Sequence, residues 1–173
     1  MKMFHRLLLI ALIAMVALKA SAQAPPKIEF EKYTLANGLQ VILSVNKKIP
    51  AVNVNLWYHV GSKNEQAGKT GFAHLFEHMM FQGSKHVKGE YLALAERAGA
   101  NLRTGGVNGT TSEDRTNYFE TVPTTSLEYA LWLESDRMGF LDDVLTQEAF
   151  ANQQDVVKNE KRQGDNAPYA VID

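Results

Sequence analysis

Two histidines and a glutamate lie within five consecutive residues of an otherwise apolar stretch, and this pattern constrains the fold more than any other. His74, Glu77 and His78 stand in the order His-x-x-Glu-His, between Gly71 and Gly83. If the stretch is helical, the two histidines are four positions apart on one face, so both rings can reach one ion. Two imidazoles so placed can hold Zn²⁺ at about 2.0–2.1 Å from each nitrogen. The stretch therefore predicts a metal-binding helix of the inverted peptidase type, with Glu77 at the rim of the site.

An amphipathic helix with its two histidines along a polar edge is the alternative interpretation of the same stretch. Apolar residues fill the other positions, namely Phe72, Leu75, Phe76, Met79 and Met80. A helix so apolar is expected to be buried, and buried polar groups are costly unless they find a partner. A bound metal would partner the histidines, which favours the metal site.

Residues 1–22 have the pattern of a signal peptide. A basic start precedes twelve apolar residues at 7–18, and the small residues at 20–22 are typical of a cleavage site. Because so short a run cannot span a bilayer as a helix, we expect export and cleavage after Ala22 instead of a stable membrane anchor. The mature protein would then be periplasmic or secreted. Residues 23–28, which include two prolines, are expected to form a linker.

The composition excludes several classes of site. There is no cysteine, so thiolate zinc sites and cysteine nucleophiles are excluded, and any metal must use histidine and carboxylate ligands. Without residues 1–22 the chain has 15 Lys+Arg against 19 Asp+Glu, and no basic patch stands out. Nucleic acid is therefore not the expected partner. The remaining 151 residues are enough for a hydrophobic core without disulfides.

Alternating apolar and polar residues predict antiparallel strands along much of the chain. Residues 29–35 and 39–45 flank Asn37-Gly38, a dipeptide typical of the two-residue type I′ turn of a hairpin. Residues 52–59 alternate without interruption, which is typical of a strand with one buried face. Two further strands are predicted at residues 101–111 and 116–122.

Three further helices are predicted after the metal-binding one. The first covers residues 89–98, and the polar loop before it carries His86, which we expect to be solvated. The second begins at Thr125-Ser-Leu-Glu128, which has the sequence of a capping box. The third begins near Thr146 and ends at about Gln163.

The last of these helices is the expected source of a third metal ligand. A peptidase zinc takes three protein ligands and keeps its fourth position open for water. The carboxylates on this helix are those of Glu148, Asp155 and Glu160. Their spacing alone does not indicate which of the three is the third metal ligand.

The metal-binding stretch and the last helix together resemble the insulinase/pitrilysin family of zinc metallopeptidases. The motifs that carry the resemblance are Gly71-x-Ala-His-x-x-Glu-His78, Asn108-Gly-Thr-Thr-Ser112, Thr116-Asn-Tyr-Phe119, Leu131-Trp-Leu-Glu-Ser-Asp-Arg-Met138 and Val156-Val-Lys-Asn-Glu160-Lys-Arg-Gln163. The resemblance extends from about Tyr33 to Tyr169. It implies a truncated α+β metallopeptidase domain of the mitochondrial processing peptidase-like type over residues 29–173, in which helices cover a mostly antiparallel sheet.

The same resemblance implies roles for individual residues. His74, His78 and Glu160 would bind Zn²⁺, and Glu77 would be the general base that accepts a proton from zinc-bound water. The family often has a further glutamate seven residues before its liganding one, where this chain has Gln153. An amide at that position can still support a ligand through a hydrogen bond, although it adds no negative charge.

The resemblance also implies a binding strand for substrate. The family binds extended peptides along an edge strand, on which Asn108, Gly109 and Thr110 would be the substrate-binding residues. Such pairing gives affinity through main-chain hydrogen bonds. From the residues alone, a glycine-rich hairpin arm without a binding role is the alternative for this segment. The expected partner is a peptide or an unfolded polypeptide segment.

The predicted activity is that of a zinc-dependent endopeptidase. Active members of the family have a second half that closes over the zinc and supplies an arginine and a tyrosine to the substrate. This sequence contains no second region that resembles the zinc-binding half. We therefore expect the chain to be an N-terminal piece that needs a C-terminal half or a partner chain. The alternative is a metal-binding or scaffold subunit that is catalytically weak.

Overall fold

The computed structural model describes residues 27–166. The predicted signal peptide, residues 23–26 of the predicted linker and residues 167–173 lie outside that range. The chain divides into two compact units between Lys48 and Ile49. Within the described range, none of the helices has the length and apolar character needed to cross a bilayer.

The described part of the first unit, residues 27–48, contains a two-stranded antiparallel hairpin. Strand β1 covers Glu31–Thr34 and strand β2 covers Gln40–Leu43. Leu35 donates its N–H to the Leu39 carbonyl, and Gly38, at a φ of 89°, donates its N–H to the Leu35 carbonyl. The hairpin is confirmed, but its loop has three residues with glycine in the left-handed region, so the predicted two-residue type I′ turn is wrong.

The second unit is built on a three-stranded antiparallel sheet in the order β3-β5-β4. Strand β3 covers Ala51–Tyr58, β4 covers Val107–Thr111 and β5 covers Thr116–Pro123. Thr116 of the central strand stands opposite Tyr58 on one side and opposite Thr111 on the other. Among the described residues, β4 pairs with β5 alone and therefore forms an edge of the sheet.

The segment before β4 is not the strand that the sequence predicts from residue 101. Leu102–Thr104 is a 3₁₀ turn, because the Asn101 side chain accepts the backbone N–H groups of Arg103 and Thr104 at 3.0 and 3.3 Å. The Asn101 carbonyl also accepts the N–H of Gly106 at 2.8 Å. Side-chain hydrogen bonds of this kind compete with strand pairing, so the strand begins only at Val107.

The second unit has four α-helices within the described range. They are α1 at Phe72–Met79, α2 at Tyr91–Arg97, α3 at Leu127–Phe140 and α4 at Gln147–Asp165. Because Gly71 precedes α1 and has no side chain to cap it, Glu65 takes that role by accepting the N–H groups of Gly71 and Ala73 at 2.9 and 2.8 Å. A carboxylate is favourable at a helix N-terminus, so this contact fixes the start of the predicted metal-binding helix.

The start of α3 and the end of α4 differ from the predictions, and α2 is shorter than the predicted residues 89–98. The capping box at Thr125–Glu128 does not form, because Thr124–Ser126 is a 3₁₀ turn and α3 begins after it without a side-chain cap. Helix α4 begins as predicted, with the Thr146 hydroxyl oxygen accepting the N–H of Ala149 at 3.1 Å. It continues to Asp165, past the predicted end.

The helices cover one face of the sheet in the second unit. Val54 of β3 is buried on that face, whereas its neighbours Asn53 and Asn55 are exposed on the other. The core between sheet and helices includes Val54, Val87, Tyr91, Ala95, Val107, Val122 and Leu133. The predicted α+β class, with helices covering an antiparallel sheet, is confirmed.

A charged cluster lies inside this core. The Arg137 guanidinium stands 4.1 Å from the centre of the Tyr91 ring and forms an ion pair with Glu134. The Tyr91 hydroxyl lies within hydrogen-bond distance of both Glu134 and Glu120, although it has only one proton to donate. Burial, together with the negative charge of Glu134, raises the pKa of Glu120 to about 8. Glu120 is therefore the protonated carboxyl, and it supplies the proton for its own hydrogen bond with the Tyr91 hydroxyl, whose proton goes to Glu134.

Replacing Glu120 by glutamine is expected to make the free energy of unfolding less dependent on pH. The unfolded chain loses the Glu120 proton near pH 4.5, whereas the folded chain keeps it up to about pH 8. Wild-type stability should therefore fall as the pH rises between these values, because the folded state binds more protons there. Glutamine mimics the neutral acid, so at pH 8.5 the variant should be more stable than the wild type by up to about 5 kcal/mol, the free-energy equivalent of a pKa shift of this size.

Urea unfolding at pH 5 and pH 8.5 measures the effect of Glu120→Gln. The matched control is Glu128→Gln, which removes an exposed carboxylate from α3. If both variants showed the pH dependence of the wild type, Glu120 would not be the buried proton carrier.

The loop before α2 is held to α3 through His86, which is exposed as predicted but is not simply solvated. His86 Nδ1 lies 2.6 Å from Asp136 Oδ1, and the His86 backbone N–H donates to Asp136 Oδ2 at 3.2 Å. The Ser84 hydroxyl donates to the same carboxylate, which is buried. The partners are 50 positions apart in the chain, so no local pattern indicates the contact.

Candidate metal centre

Helix α1 places both histidines of the motif on the side that packs against α4. The Nε2 atoms of His74 and His78 are 3.2 Å apart. They approach each other because residues four apart stand one above the other on a helix. The predicted pair of imidazoles is thus brought to one point.

Helix α4 brings one carboxylate to the two histidines. Glu160 Oε2 lies 3.4 Å from His74 Nε2 and 3.3 Å from His78 Nε2. Within residues 27–166, these three side chains are the group gathered closely enough for one ion. Glu148 and Asp155, which the spacing leaves open, do not join it.

The three atoms have the spacing of ligands around one tetrahedral zinc ion. Ligands about 2.0–2.2 Å from a tetrahedral ion stand roughly 3.3–3.6 Å from one another. The separations here are 3.2, 3.3 and 3.4 Å. Two imidazoles and one carboxylate are also a ligand set of hydrolytic zinc, with the fourth position left for water. The residues present therefore fit a zinc ion.

Gln153 on α4 supports one of the histidines. Its Oε1 lies 3.2 Å from His78 Nδ1, and its side chain is buried. A neutral His78 that donates its Nδ1–H to this oxygen keeps the lone pair on Nε2, the atom that faces His74 and Glu160. Hydrogen bonds of this kind fix the tautomer and the orientation of a metal-binding histidine.

Glu77 lies beside the candidate ligands but not among them. It lines the same cavity of about 500 Å³ as His74, His78 and Glu160, while its carboxylate stays outside the ligand group. The residue is 8% exposed, and its Oε2 accepts a hydrogen bond from the Thr111 hydroxyl. The sequence does not single out Thr111, because this contact depends on how β4 lies against α1.

The pairing of β4 decides which of its backbone groups are free. The Gly106 carbonyl accepts the N–H of Thr121, and the N–H of Ser112 donates to the Arg115 carbonyl. In an antiparallel pair such contacts alternate, so the even-numbered residues of β4 bond β5 and the odd-numbered ones turn outward. Gly109 therefore presents its N–H and C=O to the open edge.

The other two predicted substrate-binding residues differ from Gly109 and from each other. Asn108 is exposed and lines the cavity that holds the candidate ligands. The Thr110 hydroxyl instead donates to Asn117 Oδ1 at 2.5 Å and accepts from the Arg115 guanidinium at 2.7 Å. Thr110 is thus already engaged on the sheet face away from Glu77.

Known proteins resemble this chain in both sequence and fold. The family model described as "Insulinase (Peptidase family M16)" matches residues 40–172. The zinc protease PqqE of Helicobacter pylori is 36% identical over 171 residues, which cover 96% of this chain and 37% of that protein.

Solved structures match over most of the described fold. The crystal structure of a protease from Helicobacter pylori matches with a TM-score of 0.75 and 35% identity, over 84% of this chain and 34% of that one. The crystal structure of the first half of the periplasmic protease PqqL from Escherichia coli matches with a TM-score of 0.72 and 28% identity, over 84% and 32%. This chain spans about a third of the length of the proteins that it matches here.

Proposed function

This chain belongs to the insulinase family of peptidases, and from that membership we propose that it is the metal-binding part of a zinc-dependent endopeptidase. The observation that carries the proposal is the triangle of His74 Nε2, His78 Nε2 and Glu160 Oε2, with sides of 3.2–3.4 Å. Relatives such as PqqE of Helicobacter pylori are named zinc proteases. The proposed zinc ligands are these three residues, and the proposed general base is Glu77.

The chemistry that a zinc ion would supply here is Lewis acidity, which polarises a peptide carbonyl and lowers the pKa of a coordinated water towards about 7. The protein's own contribution is to hold and move a proton. Glu77 would take a proton from the attacking water and donate it to the nitrogen of the departing amine. Its Oε2 is held by the Thr111 hydroxyl, so the carboxylate is oriented before substrate arrives.

The outer edge of β4 is the proposed binding site for an extended peptide. Gly109 turns its backbone N–H and C=O to that edge and lies directly against Glu77. A peptide added there as a further strand would run past the cavity lined by Asn108 and the zinc ligands. Main-chain pairing recognises extended backbone more than side-chain sequence, so the proposed substrates are peptides and unfolded polypeptide segments.

We further propose that this region works with additional polypeptide, in the same chain or in a partner, and that the protein is exported. The first part is supported by the matched relatives, of which this chain spans about a third. The second part is supported by the leader-like residues 1–22 and by the likeness to PqqL, which is described as a periplasmic protease.

Release of fluorescence from a quenched peptide tests the proposed activity. The zinc-loaded chain, combined with the complementing C-terminal region, should cleave the peptide faster than the chain alone. A chelator should abolish cleavage, and added Zn²⁺ should restore it. Stoichiometric zinc binding with no cleavage in either form would indicate a scaffold subunit instead, and failure to bind zinc would exclude both functions.

Replacing Gln153 by leucine is expected to weaken zinc binding roughly 10–100-fold, because the variant loses the hydrogen bond that orients His78. Competition with a chromophoric chelator measures the dissociation constant. The control is Gln154→Leu, which removes the neighbouring amide, a partner of Lys158 on the helix surface. Equal affinities for Gln153→Leu and wild type would show that Gln153 does not support the site.

A further inference from the structure

The Thr111 hydroxyl has one proton, and its surroundings direct that proton to Glu77. Thr116 stands opposite Thr111 in the sheet and donates its own proton to the Val60 carbonyl at 3.0 Å. The two threonine oxygens are 3.5 Å apart, which is long for a hydrogen bond between hydroxyls. Glu77 Oε2 is closer to the Thr111 hydroxyl and is a charged acceptor, so it receives the stronger bond.

Gly109 makes room for the carboxylate in this position. A Cβ at residue 109 would stand 3.0 Å from both Cγ and Oε1 of Glu77, and 3.1 Å from the Phe81 ring. The side chain of Glu77 therefore packs directly against the backbone of β4. Gly109 and Thr111 together hold the carboxylate on the strand.

This position has a consequence for any metal at the site. Glu77 is next to His78 in the chain, and a carboxylate is itself a good zinc ligand. If Glu77 joined His74, His78 and Glu160, zinc would have four protein ligands, which is the arrangement of closed structural sites. A hydrolytic site needs the fourth position open, so the carboxylate must be kept nearby but unbound.

We propose that Thr111 is a positioning residue that holds Glu77 out of the metal's ligand set and so keeps the fourth coordination position open. The hydroxyl acts on Glu77 alone and has no contact with substrate in this role. The inference rests on the proposed zinc site, because Thr111 can have this role only in a chain that binds metal at His74, His78 and Glu160.

Cobalt binding and azide binding test this role without relying on hydrolysis. Co²⁺ replaces Zn²⁺ because its visible absorption reports the ligand set, and azide reports whether a coordination position is open. The Co²⁺-loaded wild type should respond to azide. The variant Thr111→Val lacks the hydroxyl, although its side chain has nearly the same shape as threonine. Glu77 therefore loses its hydrogen bond and can turn towards the metal. The affinity for Co²⁺ should then rise, and the azide dissociation constant should increase about tenfold or more.

Two further variants separate positioning from general damage. Thr111→Ser keeps the hydroxyl and should restore the wild-type azide response. The double variant Thr111→Val with Glu77→Gln should also restore it, because a neutral amide is a poor zinc ligand. The matched control is Thr121→Val, whose hydroxyl accepts a bond from Asn53 on the opposite face of the sheet. It should behave as the wild type.

Gly109→Ala displaces the carboxylate by steric contact and should weaken azide binding in the same way, which provides a second test if Thr111→Val does not fold. If Thr111→Val, or Gly109→Ala where Thr111→Val does not fold, bound azide as the wild type does, the proposal would be overturned. So would a loss that the added Glu77→Gln does not reverse. A wild type that binds no Co²⁺ would overturn the zinc site itself, and this role of Thr111 with it.

Discussion

Replacing Glu77 by glutamine is expected to slow peptide hydrolysis roughly 10²–10⁴-fold while zinc stays bound. Glutamine keeps the shape of the side chain and an oxygen that can accept the Thr111 bond, but it cannot take a proton from water. The three proposed ligands are unaffected, so the zinc dissociation constant should change by no more than about twofold, far less than the loss of a supporting hydrogen bond. A quenched peptide gives the rate, and chelator competition gives the affinity.

Two other variants complete the test of Glu77. His74→Ala removes a proposed ligand and should lose both zinc and activity. Glu96→Gln removes an exposed carboxylate from α2 and should change neither. All variants are assayed under the condition in which the wild-type chain cleaves the peptide, either alone or combined with the complementing region. A Glu77→Gln variant as fast as the wild type would refute the general-base role, whereas one without zinc would indicate that Glu77 is a ligand.

Local periodicity is sufficient to predict the parts of the site that lie on single elements. His74 and His78 meet because a helix returns to the same face after four residues, and that spacing is visible in the chain. The alternation over residues 52–59 similarly predicts β3, since strand side chains point to opposite faces in turn. The choice of Glu160 over Asp155 needs the family resemblance, because both lie on the same helix.

Contacts between elements are what the sequence does not predict. Thr111 meets Glu77 only because β4 lies against α1, and nothing near either residue in the chain indicates the other. Helix α3 is a second example, since Glu134 and Arg137 are buried whereas Leu131 and Trp132 are exposed. Hydrophobic patterning predicts the reverse, and it fails because the two charges satisfy each other inside the core.

Replacing Glu160 by alanine is expected to weaken zinc binding by more than roughly a hundredfold, the upper range for loss of a supporting residue. Two imidazoles would remain without the carboxylate that lies 3.3 and 3.4 Å from them. At zinc a thousandfold above the dissociation constant, the proposed binding would stabilise the wild type by about 4 kcal/mol. This corresponds to a rise in melting temperature of roughly 8–16 °C for a domain of this size, most of which Glu160→Ala should lose.

The other carboxylates of α4 make the Glu160 prediction a choice among three residues. Asp155→Ala and Glu148→Ala remove exposed acids from the same helix, so they change its charge equally while leaving the histidine contacts intact. Both should keep the full zinc-dependent rise in melting temperature. If either variant lost that rise and Glu160→Ala kept it, α4 would have to lie on α1 in a different register, and Gln153 could not then contact His78 as it does here. The melting curves therefore test the packing of the two helices as well as the identity of the third ligand.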